Sequence, residues 1–144
     1  MARFLYNFLL HAALPLIFVR LWWRSRHEAG YRRGWAQRFG RYAEDQKSGP
    51  AHAAAAGVAA DVTEVTRVWA KPLIWLHAVS LGETHAAQPL VAALAQRYPT
   101  HRLLVTHMTA TGREAAQHLY GGNAQLAWLP YDFPWAVERF YAHF

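Results

Sequence analysis

The second half of the chain restricts its fold more than anything before it. From residue 73 onward, apolar runs alternate with amphipathic stretches at short spacing. Residues 73–79 are continuously apolar, the pattern of a strand buried on both faces. Residues 84–98 place Ala87, Leu90, Val91, Leu94 and Tyr98 on one helical face, and Pro99 stops the helix. Pro89 falls inside that stretch and is expected to distort its first turns. Residues 102–107 read as a second strand, and 109–112 as a turn. A short helix over 113–120 is ended by Gly121 and Gly122, and 125–129 is a third strand. After the turn Pro130-Tyr-Asp-Phe-Pro134, a further helix starts at Trp135. This order predicts an α/β fold, a Rossmann-like parallel sheet with right-handed crossovers. Ligands in such sheets sit at the carboxyl ends of the strands, which directs attention to the first corner, Ser80-Leu-Gly-Glu83.

Ser80 and Glu83 have the S-x-x-E spacing of a capping box, in which the two side chains satisfy orphan N–H groups at a helix start. Spacing alone favours that structural role over a catalytic carboxylate. Gly82 leaves room for a ligand to approach the backbone. The turn is neither G-x-G-x-x-G nor a P-loop, so a dinucleotide fingerprint is absent. Thr111-Gly-Arg-Glu114 repeats the box at the next helix. Thr109, Thr111 and that helix N-terminus are expected beside the first corner as an anion site, with Arg113 adding charge. The nine histidines are scattered and form no ligand spacing such as H-E-x-x-H, so no metal site is expected. His77, within the first strand, reads as a core histidine with its hydrogen bonds satisfied.

The front of the chain has a different character. A length of 144 residues holds one domain with a real core, and 53% hydrophobic content excludes disorder. There is no cysteine, hence no disulfide framework or thiolate metal site. Residues 4–23 are apolar apart from Tyr6, Asn7, His11 and a few others, with Pro15 inside and Trp22 and Trp23 beside arginines. That pairing resembles an interfacial belt, and a membrane anchor, spanning or lying flat, is preferred to a buried core helix. A signal peptide is disfavoured because no small-residue cleavage site follows. Between residues 20 and 41 seven arginines face one acid, Glu28, and the net charge is +6. Such a block points to a polyanion such as an anionic phospholipid membrane. A nucleic-acid partner is not expected, since no stacking platform or recognised motif accompanies the charge. The organisation expected is an anchor helix over 1–26, a basic juxtamembrane segment over 27–42, a low-complexity linker or insertion over 43–71, and a truncated Rossmann-like domain over 72–144.

Taken in order, several pieces resemble the N-terminal part of the 3-deoxy-D-manno-octulosonic acid (Kdo) transferases. They are Leu14-Pro-Leu-Ile-Phe-Val-Arg-Leu-Trp-Trp-Arg24, Arg38-Phe-Gly40, Leu76-His-Ala-Val-Ser-Leu-Gly-Glu-Thr84, Arg97-Tyr-Pro99, Thr106-His-Met-Thr-Ala-Thr-Gly112 and Leu129-Pro-Tyr-Asp132. Residues 43–71 depart from the family pattern, and Gly34 and Gln37 stand where it carries Arg and Glu. The resemblance implies the acceptor-side half of a GT-B fold, in a membrane-associated, metal-independent inverting enzyme. It implies transfer of Kdo from CMP-Kdo to a lipid A precursor, lipid IV-A, at the cytoplasmic face of a Gram-negative inner membrane. Glu83 then corresponds to the family's catalytic base, while Ser80, Gly82, Thr109, Thr111, Gly112 and Arg113 frame the acceptor. No cofactor is implied, and the donor site belongs to a second domain. The chain is accordingly expected to be a fragment that is inactive alone. Two alternatives stay open: a small membrane-associated Rossmann-like module that binds an anionic lipid without catalysis, and a nucleic-acid binder using the basic block.

Overall fold

Three short strands carry the fold. β1 (Leu73–His77), β2 (Arg102–His107) and β3 (Gln125–Trp128) form one parallel sheet in the order β1-β2-β3. Leu73 pairs with Arg102, and Leu104 with Gln125. The computed structural model describes residues 2–27, 34–42, 71–120 and 122–144. The expected linker, apart from Lys71 at its end, lies outside the described residues, as do Tyr31, Arg32, Arg33 and Gly121.

Six helices accompany the strands among the described residues: α1 (Ala2–Ala12), α2 (Leu14–His27), α3 (Trp35–Arg38), α4 (Leu81–Arg97), α5 (Ala110–Tyr120) and α6 (Pro134–His143). The two-residue period of a strand sorts the core. Leu103, Val105 and Leu126 face one way, where Ile74, Leu76, Val91, Ala116 and Tyr120 pack against them from β1, α4 and α5. Leu104 and Ala127 face the other way, onto Phe140 of α6. Helices therefore cover both faces of a parallel sheet, as the alternation of elements requires.

Several boundaries differ from expectation for local reasons. β1 is only half-buried, because β2 flanks one of its edges and no described strand flanks the other; Trp75 and His77 are exposed. α4 begins at Leu81, since Ser80 caps it, and it runs through Pro89, which lies on its exposed side. α5 begins at Ala110, so the expected 109–112 turn is already helical from its second residue. His77 is not a core histidine, although its Nδ1 does meet Thr106, at 2.9 Å from the hydroxyl.

The apolar front segment is two helices, not one. Pro15 cannot donate a backbone hydrogen bond, and the chain bends by 46° between α1 and α2. Among the described residues no single helix is long and apolar enough to cross a membrane, though the bent pair together has the length and composition to do so. One side of the pair docks on the sheet domain. Leu21 is buried with Trp128, beside Ile17, Trp35, Phe39 and Tyr131. Phe18 stacks on Phe39 at 5.2 Å, and Tyr6 donates a 2.6 Å hydrogen bond to Asp132. The other side leaves Phe4, Phe8, Leu16, Val19 and Trp23 exposed.

α3 seats this front layer by means of Gly34. Its φ is +88°, and a Cβ there would lie 2.0 Å from Nε1 of Trp128. A side chain at this position would therefore clash with the Trp128 indole. Gln37, at the other departure, accepts the backbone N–H of Trp128 at 3.0 Å. Gly34→Ala combines left-handed strain with a clash and should destabilise the protein by about 2–4 kcal/mol. Equilibrium urea unfolding is the check, and an unchanged midpoint would contradict this seating.

Candidate functional site

The first corner is a closed hydrogen-bonded unit. Ser80 holds the N-cap of α4 in extended conformation, and its Oγ accepts from the Glu83 N–H at 3.4 Å. Glu83 answers with both carboxylate oxygens. Oε2 accepts the Val79 N–H at 2.9 Å, and Oε1 accepts the Ser80 hydroxyl at 3.1 Å. The expected reciprocal box is present, shifted so that the carboxylate takes the N–H one residue before the cap. Glu83 stays exposed to solvent while its oxygens are aimed at the end of β1. Nothing lies within 4 Å of a Cβ built on Gly82, so packing does not explain that glycine and its backbone faces open space.

The second corner is built differently from the sequence expectation. Thr109, not Thr111, caps α5: its Oγ1 accepts the Gly112 N–H at 3.2 Å. The residue three positions after this cap is Gly112, so no carboxylate reaches back and Glu114 has no part in a box. Thr111 is exposed. Thr109 then donates its hydroxyl to the Val79 carbonyl at 3.1 Å, joining the two corners. Gly112 packs so closely on the first corner that a Cβ would stand 3.0 Å from the Ser80 carbonyl carbon. Thr84, fully buried, donates to the Ser80 carbonyl at 2.8 Å and stands 3.4 Å from that of Gly112. Of the expected site residues, Ser80, Gly82, Glu83, Thr109 and Gly112 thus lie together at the two corners, whereas Thr111 is exposed on α5 and Arg113 is enclosed.

Arg113 lies behind the corner instead of in it. Burial lowers its pKa to about 10, and its Nη1 is enclosed without a hydrogen-bond partner among the described residues. Its neighbour is His107, which the sequence reading passed over. His107 is fully buried, and its Nδ1–H donates to the Ala78 carbonyl at 3.0 Å. Burial first, then the positive charge of Arg113, lower the His107 pKa to about 4; the Ala78 hydrogen bond opposes this and His77 adds to it. A neutral ring therefore ties β2 to β1 just below the site. The signal was present in Thr106-His107, two polar residues that close a buried strand otherwise apolar after Arg102.

A second cationic group was also missed. Arg38 is almost completely buried at the end of α3. Its Nη2 donates to the Met108 carbonyl at 3.0 Å, and its guanidinium lies 4.0 Å above the Trp128 ring. Arg38-Phe-Gly40 was one of the pieces of the family resemblance, but only tertiary structure shows that Arg38 reaches the strand ends. Among the described residues no three His, Asp or Glu side chains come together in a way that could hold a metal ion. Chemically, the arrangement offers an oriented, solvent-accessible carboxylate between two helix N-termini.

Residues 33–144 match the family model described as 3-deoxy-D-manno-octulosonic-acid transferase (kdotransferase). A 3-deoxy-D-manno-octulosonic acid transferase of Bordetella pertussis is 42% identical over 148 residues, covering 99% of this chain and 29% of that protein. The corresponding transferase of Haemophilus influenzae is 31% identical, covering 97% of this chain and 28% of that protein. A probable mitochondrial 3-deoxy-D-manno-octulosonic acid transferase of Arabidopsis thaliana is 27% identical, covering 96% and 26%. The chain thus spans less than a third of the length of these relatives. No solved structure matches it significantly.

The His107 environment sets an acid limit on stability. Its pKa is about 4 in the folded protein against an ordinary 6.5, so the unfolded chain takes up the proton first as pH falls. The loss is absent above the ordinary value, grows between the two, and levels off below the lower one at on the order of 3 kcal/mol. His107→Gln keeps a donor for Ala78 and should flatten this part of the profile. Urea unfolding of both proteins at about pH 7.5 and about pH 4.5 tests it; parallel losses would assign the acid sensitivity elsewhere.

Proposed function

The chain belongs to the 3-deoxy-D-manno-octulosonic acid (Kdo) transferase family of glycosyltransferases, and from that premise we propose that it supplies the acceptor side of a GT-B enzyme of lipopolysaccharide biosynthesis. In this reading Kdo passes from CMP-Kdo to a lipid A precursor, lipid IV-A, with inversion at the anomeric carbon. The observation that carries it is the Glu83 carboxylate, exposed at the carboxyl end of β1 and oriented by the Val79 N–H and the Ser80 hydroxyl.

Glu83 acts as general base. An acceptor hydroxyl donates to the carboxylate in place of the Ser80 hydroxyl, gives up its proton as its oxygen forms the new bond to the anomeric carbon, and CMP leaves with the electron pair of the bond that breaks. Water exclusion beneath a bound headgroup and donor strengthens a carboxylate base. The Val79 N–H keeps the other oxygen in place throughout, so orientation survives the exchange of partners. The capping role and the catalytic one are then two states of a single side chain.

α1 and α2 are assigned to the interface of the inner membrane, on its cytoplasmic face. Their exposed side carries Phe4, Phe8, Leu16, Val19 and Trp23, while Arg20, Arg24 and Arg26 follow the sequence of aromatic and aliphatic residues. A helix pair with one face packed on a domain and the other apolar suits shallow insertion among anionic lipids.

Two measurements check these assignments. In the complete transferase, Glu83→Gln should lower transfer of radiolabelled Kdo by about 10²–10⁴-fold, while unfolding stability changes by no more than about 1 kcal/mol. Near-normal transfer would return Glu83 to a capping role alone. Replacing Trp22 and Trp23 together by Ala should weaken sedimentation with anionic vesicles about tenfold or more; undiminished binding would place the membrane contact elsewhere.

A further inference from the structure

The exposed carboxylate of Glu83 and the buried ring of His107 hold opposite ends of one peptide. The unit between Ala78 and Val79 presents the Ala78 carbonyl on one side and the Val79 N–H on the other. Nδ1 of His107 stands 3.0 Å from that carbonyl oxygen, and the N–H meets Oε2 of Glu83 at 2.9 Å. A carbonyl only accepts, so the ring is the donor and its proton lies on Nδ1. We infer that His107 is a positioning residue for Glu83, acting through the Ala78–Val79 peptide.

The rigidity of the peptide carries the effect. A trans peptide is planar, with its C=O and N–H pointing in opposite directions. Fixing the carbonyl end therefore fixes the direction of the N–H, and with it the place of the carboxylate oxygen that the N–H holds. The two bonds also polarise one another, since donation to the carbonyl makes the N–H of the same peptide a better donor. Ala78 and His107 are both buried, where a hydrogen bond is electrostatically stronger than in water. Glu83 is exposed. A bond from a fixed backbone group is what separates an aimed carboxylate from one that turns in solvent.

The ring has one arrangement open to it. Moving the proton to Nε2 would set the Nδ1 lone pair against the Ala78 oxygen. It would also bury an N–H for which no acceptor stands among the described residues. Burial first, then the Arg113 charge, keeps the ring neutral at ordinary pH, so the Nδ1 proton is its only one. The neighbouring contacts act on other peptides. The Thr106 carbonyl accepts the Ala78 N–H at 3.0 Å, while the Met108 N–H and the Thr109 hydroxyl reach the Val79 carbonyl at 3.4 and 3.1 Å. These belong to the peptides before and after, whereas His107 bonds to the one whose N–H orients Glu83.

The catalytic consequence rests on the transferase reading of Glu83; the hydrogen-bond chain does not. NMR of the full chain in detergent addresses the chain of bonds. Nitrogen spectra of the histidine rings should place the His107 proton on Nδ1, and the Val79 amide proton should be deshielded by its carboxylate acceptor. Glu83→Gln verifies that reporter by moving the Val79 signal upfield. His107→Leu should move it upfield as well, and His107→Asn, whose amide nitrogen takes the place of Nδ1, should restore it. Kinetics of the complete transferase address the consequence. His107→Leu should lower kcat about ten- to a hundredfold with the KM for the acceptor unchanged, and His107→Asn should recover most of the loss. His107→Met, also without a donor, takes over if circular dichroism shows that His107→Leu does not fold. A wild-type His107 protonated on Nε2 overturns the inference, as does a Val79 signal unmoved in a folded variant without the donor. So does wild-type kcat in that variant while Glu83→Gln is inactive. Normal transfer by Glu83→Gln would instead sink the transferase reading, and the Val79 signal then decides the hydrogen-bond chain by itself.

Discussion

The Val79 peptide is the joint on which the site depends. Its N–H is taken by Glu83 and its carbonyl by the Thr109 hydroxyl, at 2.9 and 3.1 Å. Val79 has just left β1; its carbonyl also accepts the Met108 N–H at 3.4 Å, while its N–H has the Glu83 carboxylate as its acceptor. Satisfying them with side chains from two different helix starts locks the two strand-end corners into one unit. The close approach of Gly112 to Ser80 and the buried Thr84 hydroxyl make the same junction from behind. A carboxylate held by an otherwise orphaned N–H has its direction set by backbone geometry, which is stiffer than any arrangement of side chains alone.

Below this junction the structure keeps charge out or holds it rigidly. His107 is neutral at ordinary pH because burial and the Arg113 cation oppose its protonation. Arg38, by contrast, stays cationic in a buried setting, where carbonyl and indole contacts take over part of the role of water. That arrangement is made possible by Gly34, whose missing Cβ lets the Trp128 indole occupy the space beside α3. Gly34, Gln37, Arg38 and Trp128 therefore form a single packing solution. Gly34 and Gln37 both meet Trp128, one by making room for its indole and the other by accepting its backbone N–H.

The sheet and its helices were legible because apolar periodicity and helix caps are local signals. β2 was read with both ends correct, and β3 and α6 fell within one residue at each end. What could not be read was set by contacts distant in sequence. The half-exposure of β1 depends on what flanks it, not on its own uniformly apolar run. The cap of α5 went to Thr109 because Val79 offered its hydroxyl a partner thirty residues away; Thr111 had the same spacing signature and no such partner. The break at Pro15 was visible as a proline, yet its outcome, two helices with one face docked, follows from the aromatic contacts of Phe39 and Tyr131 with the front layer. For the site, residue types at the first corner pointed to Glu83, whereas the cationic side of it could not be assembled. Arg20, Arg24 and Arg38 are adjacent only once α2 lies across the strand ends.

This last point bears on why a basic block and an apolar segment adjoin in the chain. A cluster of arginines beside an amphipathic segment is ordinarily sufficient for attraction to anionic lipid, and no fixed geometry is needed for that. Here the docked face of α2 turns part of the cluster inward. Arg26 stays at the exposed surface, 4.0 Å over the Trp22 ring, while Arg20 and Arg24 line a cavity between α2 and the carboxyl ends of β2 and β3. On this helix Arg20 and Arg26 are exposed and Arg24 is half-buried, so most of its charge forms an outer field that salt screens. The bend at Pro15 lets α1 continue over the same domain surface to the Asp132 contact.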